Sequence, residues 1–321
     1  MPGQRAGGGR FHVKPLSLET LRGGGKRAIA EALAAIETRA GTAALAAFLD
    51  EACGAARGLT LGLTGPPGVG KSTLTNVLVQ RWRGGGESVG VIAIDPSSRK
   101  TGGALLGDRA RISTDPADRN VFVRSMAARD RLGGLSDQTV AAMVVMRAVF
   151  DRVLIESVGI GQSEADVGMV ADTVVLCIQP GSGDSLQFMK AGVMELPDVI
   201  AVTKADMGEP ARRAKADVEG ALTLVARDAD DWVAPVVLIS SATGEGMDAL
   251  AAAVESHRQW LGAARLAARR SAQEAQWVEE ALRTRFGTAG LAAAGAAPAG
   301  AGPFAHEHAV TALLNARLGR P

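Results

Sequence analysis

Cysteine and histidine are scarce in this chain, which limits the metal and redox chemistry that it can support. The 321 residues include only 2 cysteines and 4 histidines. Cys53 and Cys177 lie far apart in apolar or alanine-rich surroundings, which favours buried thiols over a disulfide or metal ligands. His306 and His308 fall in a segment rich in Gly, Ala and Pro. The sequence therefore predicts no His/Cys metal cluster.

Excess charge of one sign and long apolar runs are also missing. Lys and Arg number 35 against 34 Asp and Glu, and no basic stripe stands out, so nucleic acid is not expected as a partner. No apolar run reaches the roughly 18 residues of a membrane span. The N-terminus lacks the apolar core of a signal peptide. We expect a soluble, cytoplasmic protein that has no membrane partner.

Apolar strand-like runs alternate with amphipathic stretches from residue 59 onward. Many runs are rich in Val and Ile and almost continuously apolar, as strands covered on both faces should be. This alternation predicts the α/β class, with a mostly parallel, doubly wound sheet. Phosphate ligands bind at the carboxyl ends of such strands. The predicted strands are 59–64, 89–95, 121–125, 152–158, 172–179, 198–203 and 235–240.

Helical segments flank the predicted sheet. Residues 1–57 form an N-terminal extension in which the periodicity over 17–57 predicts two or three helices. Residues 58–262 form the sheet domain. Residues 263–321 form a C-terminal arm with an Ala/Gly/Pro-rich linker over 287–303 and a last helix over 304–318. A helical segment is also predicted over about 245–285.

A complete phosphate-binding loop, G-x-x-x-x-G-K-[ST], follows the first predicted strand and precedes a predicted helix. The glycines let successive backbone N–H groups turn toward a polyphosphate, and the helix N-terminus adds its positive dipole end. Lys71 supplies a charge for the β- and γ-phosphates, and the Ser72 hydroxyl suits Mg²⁺. The loop and the first helical residues are Gly65, Pro66, Pro67, Gly68, Val69, Gly70, Lys71, Ser72 and Thr73.

Three carboxylates are candidate Mg²⁺ ligands beside Ser72. Glu156 opens an acidic-x-x-Gly motif at a strand end, in which the Gly159 N–H can sense the γ-phosphate. Asp95 ends the second strand and is either a helix N-cap or a ligand. Asp108 closes a glycine-rich stretch that is either a switch loop or a solvated loop.

A second motif predicts recognition of guanine. The segment Thr203-Lys204-Ala205-Asp206 follows a strand and matches [NT]-K-x-D. Asp206 can accept both N1–H and N2–H₂ of guanine, a pairing that adenine lacks, and the Lys204 stem can lie over the base. The next strand ends in Ser240-Ser241-Ala242, whose backbone N–H groups can reach guanine O6. Either Ser240-Ser241 or Ser241-Ala242 is the functional pair.

These segments together resemble the MeaB/ArgK (MMAA-like) family of G-protein chaperones. The resemblance runs from about residue 25 to 277 and rests on the segments 95–98, 101–108, 132–135, 156–164 and 180–187. It implies a P-loop GTPase of the SIMIBI class that uses GTP and Mg²⁺. It also implies a homodimer that loads, protects or rescues the cofactor of an adenosylcobalamin-dependent acyl-CoA mutase.

The resemblance also implies roles for single residues. Lys71, Asp108, Glu156, Gln162 and Lys190 become the catalytic candidates, while Ser72 and the three carboxylates hold Mg²⁺. Residues 181–190 resemble a third switch that faces the mutase. Phe188 and Met189 depart from the usual Gly and Ile of that switch, which suggests a different partner surface.

Three other functions fit this sequence less well. A nickel-type metallochaperone GTPase needs a His/Cys cluster, and a small-molecule P-loop kinase has no use for the guanine motif. A non-enzymatic scaffold does not need the intact Lys71 and Ser72.

Overall fold

Seven parallel strands form a single sheet. The computed structural model describes residues 16–96, 112, 114–128, 135–157, 163–181, 197–223, 228, 230–294 and 300–319. The strand order is β3-β2-β4-β1-β5-β6-β7, and every neighbouring pair is parallel. All seven predicted strands and the predicted fold class are confirmed. The strands are β1 Leu59–Thr64, β2 Val89–Pro96, β3 Val121–Ala128, β4 Arg152–Glu156, β5 Thr173–Ile178, β6 Val199–Val202 and β7 Val236–Leu238.

Helices cover both faces of this sheet. Several start at a side chain that caps free backbone N–H groups: Ser17, Thr42 and Ser136 each accept a hydrogen bond from the N–H three residues later. None of the described helices combines the length and the apolar character needed to cross a membrane. The helices are α1 Leu18–Gly23, α2 Gly25–Thr38, α3 Ala43–Gly54, α4 Lys71–Gly84, α5 Asp137–Arg147, α6 Ser163–Gly168, α7 Glu209–Leu222, α8 Met247–Ala293 and α9 Pro303–Arg317.

Two apolar layers hold the helices on the sheet. On one face, α2, α3 and α5 pack through residues such as Leu33, Phe48 and Met143. On the other face, Leu74 of α4 and Leu250 of α8 join the same cluster of buried side chains. All residues of β5 and β6 are buried, which explains why their sequences are continuously apolar instead of alternating.

The C-terminal part is more helical than its composition indicated. Helix α8 is interrupted at Gly262 and Gly287, where φ is 51° and 70°, and continues to Ala293. The helix therefore extends past residue 287, where the composition indicates a linker, because alanine favours helix even beside glycine. Asp50 of α3 caps α9 by accepting the N–H groups of Phe304 and Ala305, both at 2.9 Å.

Buried carboxylates tie α8 to the amino ends of the strands. Asp172, 1 % exposed, accepts the Thr60 N–H at 2.8 Å and pairs with the Arg270 guanidinium at 2.6 and 2.8 Å. Asp198 accepts the Val174 N–H at 2.7 Å and pairs with Arg269 at 2.9 and 3.0 Å. Burial alone would raise the pKa of Asp198, but the His257 imidazole 3.2 Å away and the Arg269 guanidinium hold it below its usual value.

Loss of the Arg270 side chain is expected to destabilise the fold strongly. In Arg270→Ala, Asp172 stays buried but loses the guanidinium that is hydrogen-bonded to it, which costs about 3–5 kcal/mol of unfolding free energy. A matched control is Arg258→Ala on the same helix. Arg258 forms an exposed ion pair with Glu255, which contributes less than about 1 kcal/mol to the free energy of unfolding. Urea unfolding of both variants measures the difference. An equal loss of unfolding free energy in the two variants would contradict this account of the Asp172–Arg270 pair.

Candidate nucleotide-binding site

The phosphate loop lies between β1 and α4 and takes a shape that three glycines permit. Gly65, Gly68 and Gly70 have φ values of 133°, 77° and 102°, which side-chain-bearing residues rarely adopt. Val69 points away from the loop and is fully buried among the apolar residues beneath it. The loop is therefore anchored at its centre while its backbone turns around the space above α4.

Gly65 also touches the neighbouring strand. A Cβ atom at this position would lie 2.2 Å from the Cys177 carbonyl oxygen of β5. The Cys177 thiol is fully buried below the loop, and this burial raises its pKa to about 12. Cys53 is half-buried, and burial likewise raises the pKa of its thiol to about 12. Both cysteines are free, as the sequence predicted.

Lys71 begins α4 and folds back over its own loop. Its Nζ donates to the carbonyl oxygens of Gly65 at 2.7 Å and Pro66 at 3.1 Å, and the residue is 7 % exposed. The helix follows Gly70 directly, so its first N–H groups meet no capping side chain at that residue. A buried ammonium group and a helix N-terminus therefore lie side by side, as an anion site requires.

Glu156 is the last residue of β4 and faces the same helix. Its Oε1 accepts a hydrogen bond from the Ser72 hydroxyl at 2.5 Å, and its Oε2 accepts one from the Thr75 hydroxyl at 2.9 Å. The Glu156 and Thr75 side chains are 5 % and 0 % exposed. The structure thus brings together the predicted Ser72 and Glu156 and adds Thr75.

Asp95 lies on the next strand at the same edge. Ala93 of β2 is in register with Glu156, and Asp95 follows two residues later, so both carboxylates belong to one face of the sheet. Asp95 is 2 % exposed. These donors are all oxygens, which suit a hard cation such as Mg²⁺. No group of three or more His, Cys, Asp or Glu side chains that could hold a metal occurs among the described residues.

The guanine motif follows β6 at this edge, two strands from β1. The Thr203 hydroxyl and N–H both donate to the Ile178 carbonyl of β5, at 3.1 and 2.8 Å. Lys204 has a φ of 56° and is the one non-glycine residue with positive φ in the described part of the chain. The Ala205 N–H donates to the Ile239 carbonyl at 2.9 Å, which joins this loop to the end of β7.

The side chains of the motif differ in exposure. Lys204 is exposed, and its Nζ donates to the Gln179 amide oxygen at 2.6 Å, just after β5. Asp206 is exposed in a single 3₁₀ turn over Ala205–Met207. Both polar groups of the motif therefore face outward at the edge of the sheet, while Thr203 is buried as an anchor.

The loop after β7 lies next to the guanine motif. The buried Ser240 donates its N–H to the Glu245 carbonyl at 2.9 Å and accepts the Thr243 N–H on its hydroxyl at 3.3 Å. Ser241 is half-buried and Ala242 is exposed. The Ser240 amide is thus used inside the loop.

Some candidates lie outside the described residues, namely Asp108, Gly159, Gln162 and Lys190. Two residues escaped the sequence reasoning. Thr75 lies three residues after Ser72, a spacing that places both hydroxyls on one helix face. Gln179 directly follows a strand of the nucleotide edge. Each spacing is visible in the sequence, but neither belongs to a motif.

The family comparison decides the classification. The family model described as "Methylmalonyl Co-A mutase-associated GTPase MeaB" matches residues 28–293. The chain belongs to the MeaB family. Similar proteins include GTPase ArgK of Escherichia coli, 34 % identical with 82 % of each chain covered. Another is the mitochondrial methylmalonic aciduria type A homolog of Mus musculus, 38 % identical over 68 % of this chain and 54 % of the mouse protein.

The length of the match varies between relatives of this MeaB-family chain. A predicted GTPase of Pyrococcus horikoshii is 43 % identical, with 63 % of this chain and 64 % of that protein covered. The chain thus spans slightly less than two thirds of that relative.

Solved structures agree with the fold. The crystal structure of a LAO/AO transport system kinase has a TM-score of 0.68 and 29 % identity, covering 84 % of this chain and 85 % of the other. The nickel complex of HypB from Helicobacter pylori has a TM-score of 0.51 at 17 % identity, covering 67 % and 94 %. The HypB likeness shows the fold alone.

Gly65 and Gly68 are expected to differ sharply in tolerance to alanine. Both have positive φ, which costs about 1–2 kcal/mol for a residue with a Cβ. Gly68→Ala meets open space, whereas Gly65→Ala presses on the Cys177 carbonyl, which adds about 1–3 kcal/mol. Thermal or urea unfolding of both variants measures the difference in their stability. A Gly65→Ala variant as stable as Gly68→Ala would show that β5 does not restrict the loop.

Proposed function

We propose that this MeaB-family protein is a Mg²⁺-dependent GTPase that converts GTP to GDP and phosphate. The supporting observation is that two chemically different motifs meet at one sheet edge. The phosphate loop follows β1, and the guanine motif follows β6, with β5 between them. This separation would suit a polyphosphate at one end of a crevice at the carboxyl edge and a base at the other end.

The chain's own residues act by position and charge. Lys71 gives up its contacts with the Gly65 and Pro66 carbonyls and neutralises charge on the β–γ bridge. The loop amides and the α4 N-terminus hold the phosphates in the same orientation throughout. Because these groups are fixed before the reaction, little reorganisation is needed as charge develops.

Mg²⁺ would be held by Ser72, Asp95, Asp108 and Glu156. When bound, it supplies positive charge that offsets the charge building up on the phosphate oxygens. Glu156 orients the Ser72 hydroxyl, while Asp95 adds a second buried carboxylate on the same face of the sheet. Asp108, Gln162 and Lys190 complete the proposed catalytic set, and Gly159 senses the γ-phosphate.

Asp206 is the proposed specificity residue for the base. Its exposed carboxylate can accept N1–H and N2–H₂ together, and Lys204 beside it can cover the base. The Ser240 amide already serves the Glu245 carbonyl. This favours Ser241 and Ala242 as the pair whose N–H groups reach guanine O6.

Asp206→Asn should weaken GTP and GDP binding by about 2–4 kcal/mol, because a charged acceptor that faces two donors is lost. The new amide N–H₂ matches the 2-carbonyl of xanthine, so XTP should bind better than GTP in this variant. Titration with GTP, XTP and ATP measures the affinity of the wild type and of Asp206→Asn for each nucleotide. Equal affinity of the wild type for ATP and GTP would rule out the guanine motif.

We also propose that the protein is a chaperone for an adenosylcobalamin-dependent acyl-CoA mutase. Support comes from the family's description as mutase-associated and from the mouse relative named for methylmalonic aciduria. A homodimer in the cytoplasm is the proposed state. The mutase would meet the protein through residues 181–190, which follow β5 in the sequence.

Affinity capture with the GTP-loaded wild type should retain an acyl-CoA mutase, identified by mass spectrometry. The purified mutase should then raise GTP turnover about 5- to 150-fold, in line with coupling of about 1–3 kcal/mol. Lys71→Ala should fold normally but lose turnover in both conditions, because Lys71 serves phosphate. Turnover that no acyl-CoA mutase changes would contradict the chaperone role and leave the GTPase proposal standing.

A further inference from the structure

The Glu156 carboxylate is held at both oxygens by hydroxyls of a single helix. Ser72 donates to Oε1 at 2.5 Å and Thr75 donates to Oε2 at 2.9 Å. The two hydroxyl residues are three apart in α4 and therefore share a face. The carboxylate bridges one turn of the helix that carries the phosphate loop.

The backbone beneath Glu156 is fixed as well. Glu156 is in register with Leu63 of β1 on one side and Ala93 of β2 on the other. The Ser157 N–H donates to the Leu63 carbonyl at 3.0 Å. With the backbone set by two neighbouring strands, the remaining freedom of Glu156 is rotation of its side chain. The Thr75 hydrogen bond restricts that rotation.

The two hydroxyls are not equivalent. A hydroxyl oxygen carries two lone pairs, so the Ser72 oxygen can bind a cation while its O–H still donates to Oε1 of Glu156. Thr75 is fully buried one turn deeper, and its hydroxyl contacts the carboxylate instead of the loop. A threonine hydroxyl inside a helix commonly donates to the carbonyl four residues back, whereas the Thr75 hydroxyl donates to Glu156.

We propose that Thr75 is a positioning residue, which fixes the Glu156 carboxylate and thereby sets the affinity of the site for Mg²⁺ bound with nucleotide. The inference rests on the proposed function of the Ser72–Glu156 edge. A hydrogen bond that orients a carboxylate in this way commonly changes metal affinity or activity by about 10- to 100-fold when it is removed.

The test compares Thr75→Val, which keeps the branched shape and removes the hydroxyl, with Thr75→Ser, which keeps the hydroxyl. GDP binding is titrated with Mg²⁺ and repeated in chelator, and GTP turnover is followed over the same Mg²⁺ range. Thr75→Val should need about 10- to 100-fold more Mg²⁺ for half-maximal effect. Thr75→Ser should stay within about threefold of wild type, and GDP affinity in chelator should be unchanged in both.

Thr60→Val is the matched control. Thr60 is buried in the same sheet at 1 % exposure, and its hydroxyl has no hydrogen-bond partner among the described residues. The same substitution there should leave the Mg²⁺ dependence unchanged. Should Thr75→Val prove unstable, Thr75→Ala removes the same hydroxyl without adding a methyl group, and the same Mg²⁺ shift is expected.

A double-mutant cycle with Glu156→Gln tests whether Thr75 acts through the carboxylate. In a protein that already carries Glu156→Gln, Thr75→Val should cause little further increase in the Mg²⁺ requirement. An unchanged Mg²⁺ requirement in Thr75→Val would overturn the inference while leaving the GTPase proposal intact. The inference would also be overturned if Thr75→Ser raised the Mg²⁺ requirement as much as Thr75→Val does. A loss of GDP affinity in chelator as large as the Mg²⁺ shift of Thr75→Val would overturn it too. A wild type without Mg²⁺-dependent GTP binding would remove the proposed function and this inference together.

Discussion

The parallel pairing of β1 with β4 and β5 is the constraint on which the candidate site depends. Parallel strands place their carboxyl ends at one edge, so the loops after β1, β4 and β5 must meet there. The β1–β5 contact is close enough to require glycine at position 65, because any Cβ would press on the Cys177 carbonyl. The shape of the phosphate loop therefore depends on a strand more than 100 residues away in the sequence.

The two edges of the sheet have different electrostatic roles. At the amino edge, Asp172 and Asp198 are each matched by an arginine of α8 and by a backbone N–H of the neighbouring strand. Their charges are compensated within the fold and contribute to its stability. At the carboxyl edge, Lys71 rests on carbonyl oxygens and Glu156 on hydroxyls. Both groups lie at the edge where the phosphate loop and the guanine motif meet.

Much of the fold and part of the site could be predicted from local patterns. Continuous apolar runs identified all seven strands, because strands buried on both faces need no polar alternation. The loop at Gly65–Ser72 and the motif at Thr203–Asp206 carry their chemistry within a few consecutive residues. Composition predicts too short a helix α8, because a segment of glycine and alanine resembles a linker, whereas its alanines extend the helix to Ala293.

Local sequence patterns are enough to predict the α/β class, the order of the elements and the residues of both nucleotide motifs, since these follow from short-range spacing. The folded chain is needed to show that Thr75 contacts Glu156, that Gln179 contacts Lys204 and that Cys177 lies under Gly65. These contacts join residues from different strands and helices. They depend on which strands become neighbours and on the register between them, and that choice is made by packing over the whole sheet rather than by any single segment.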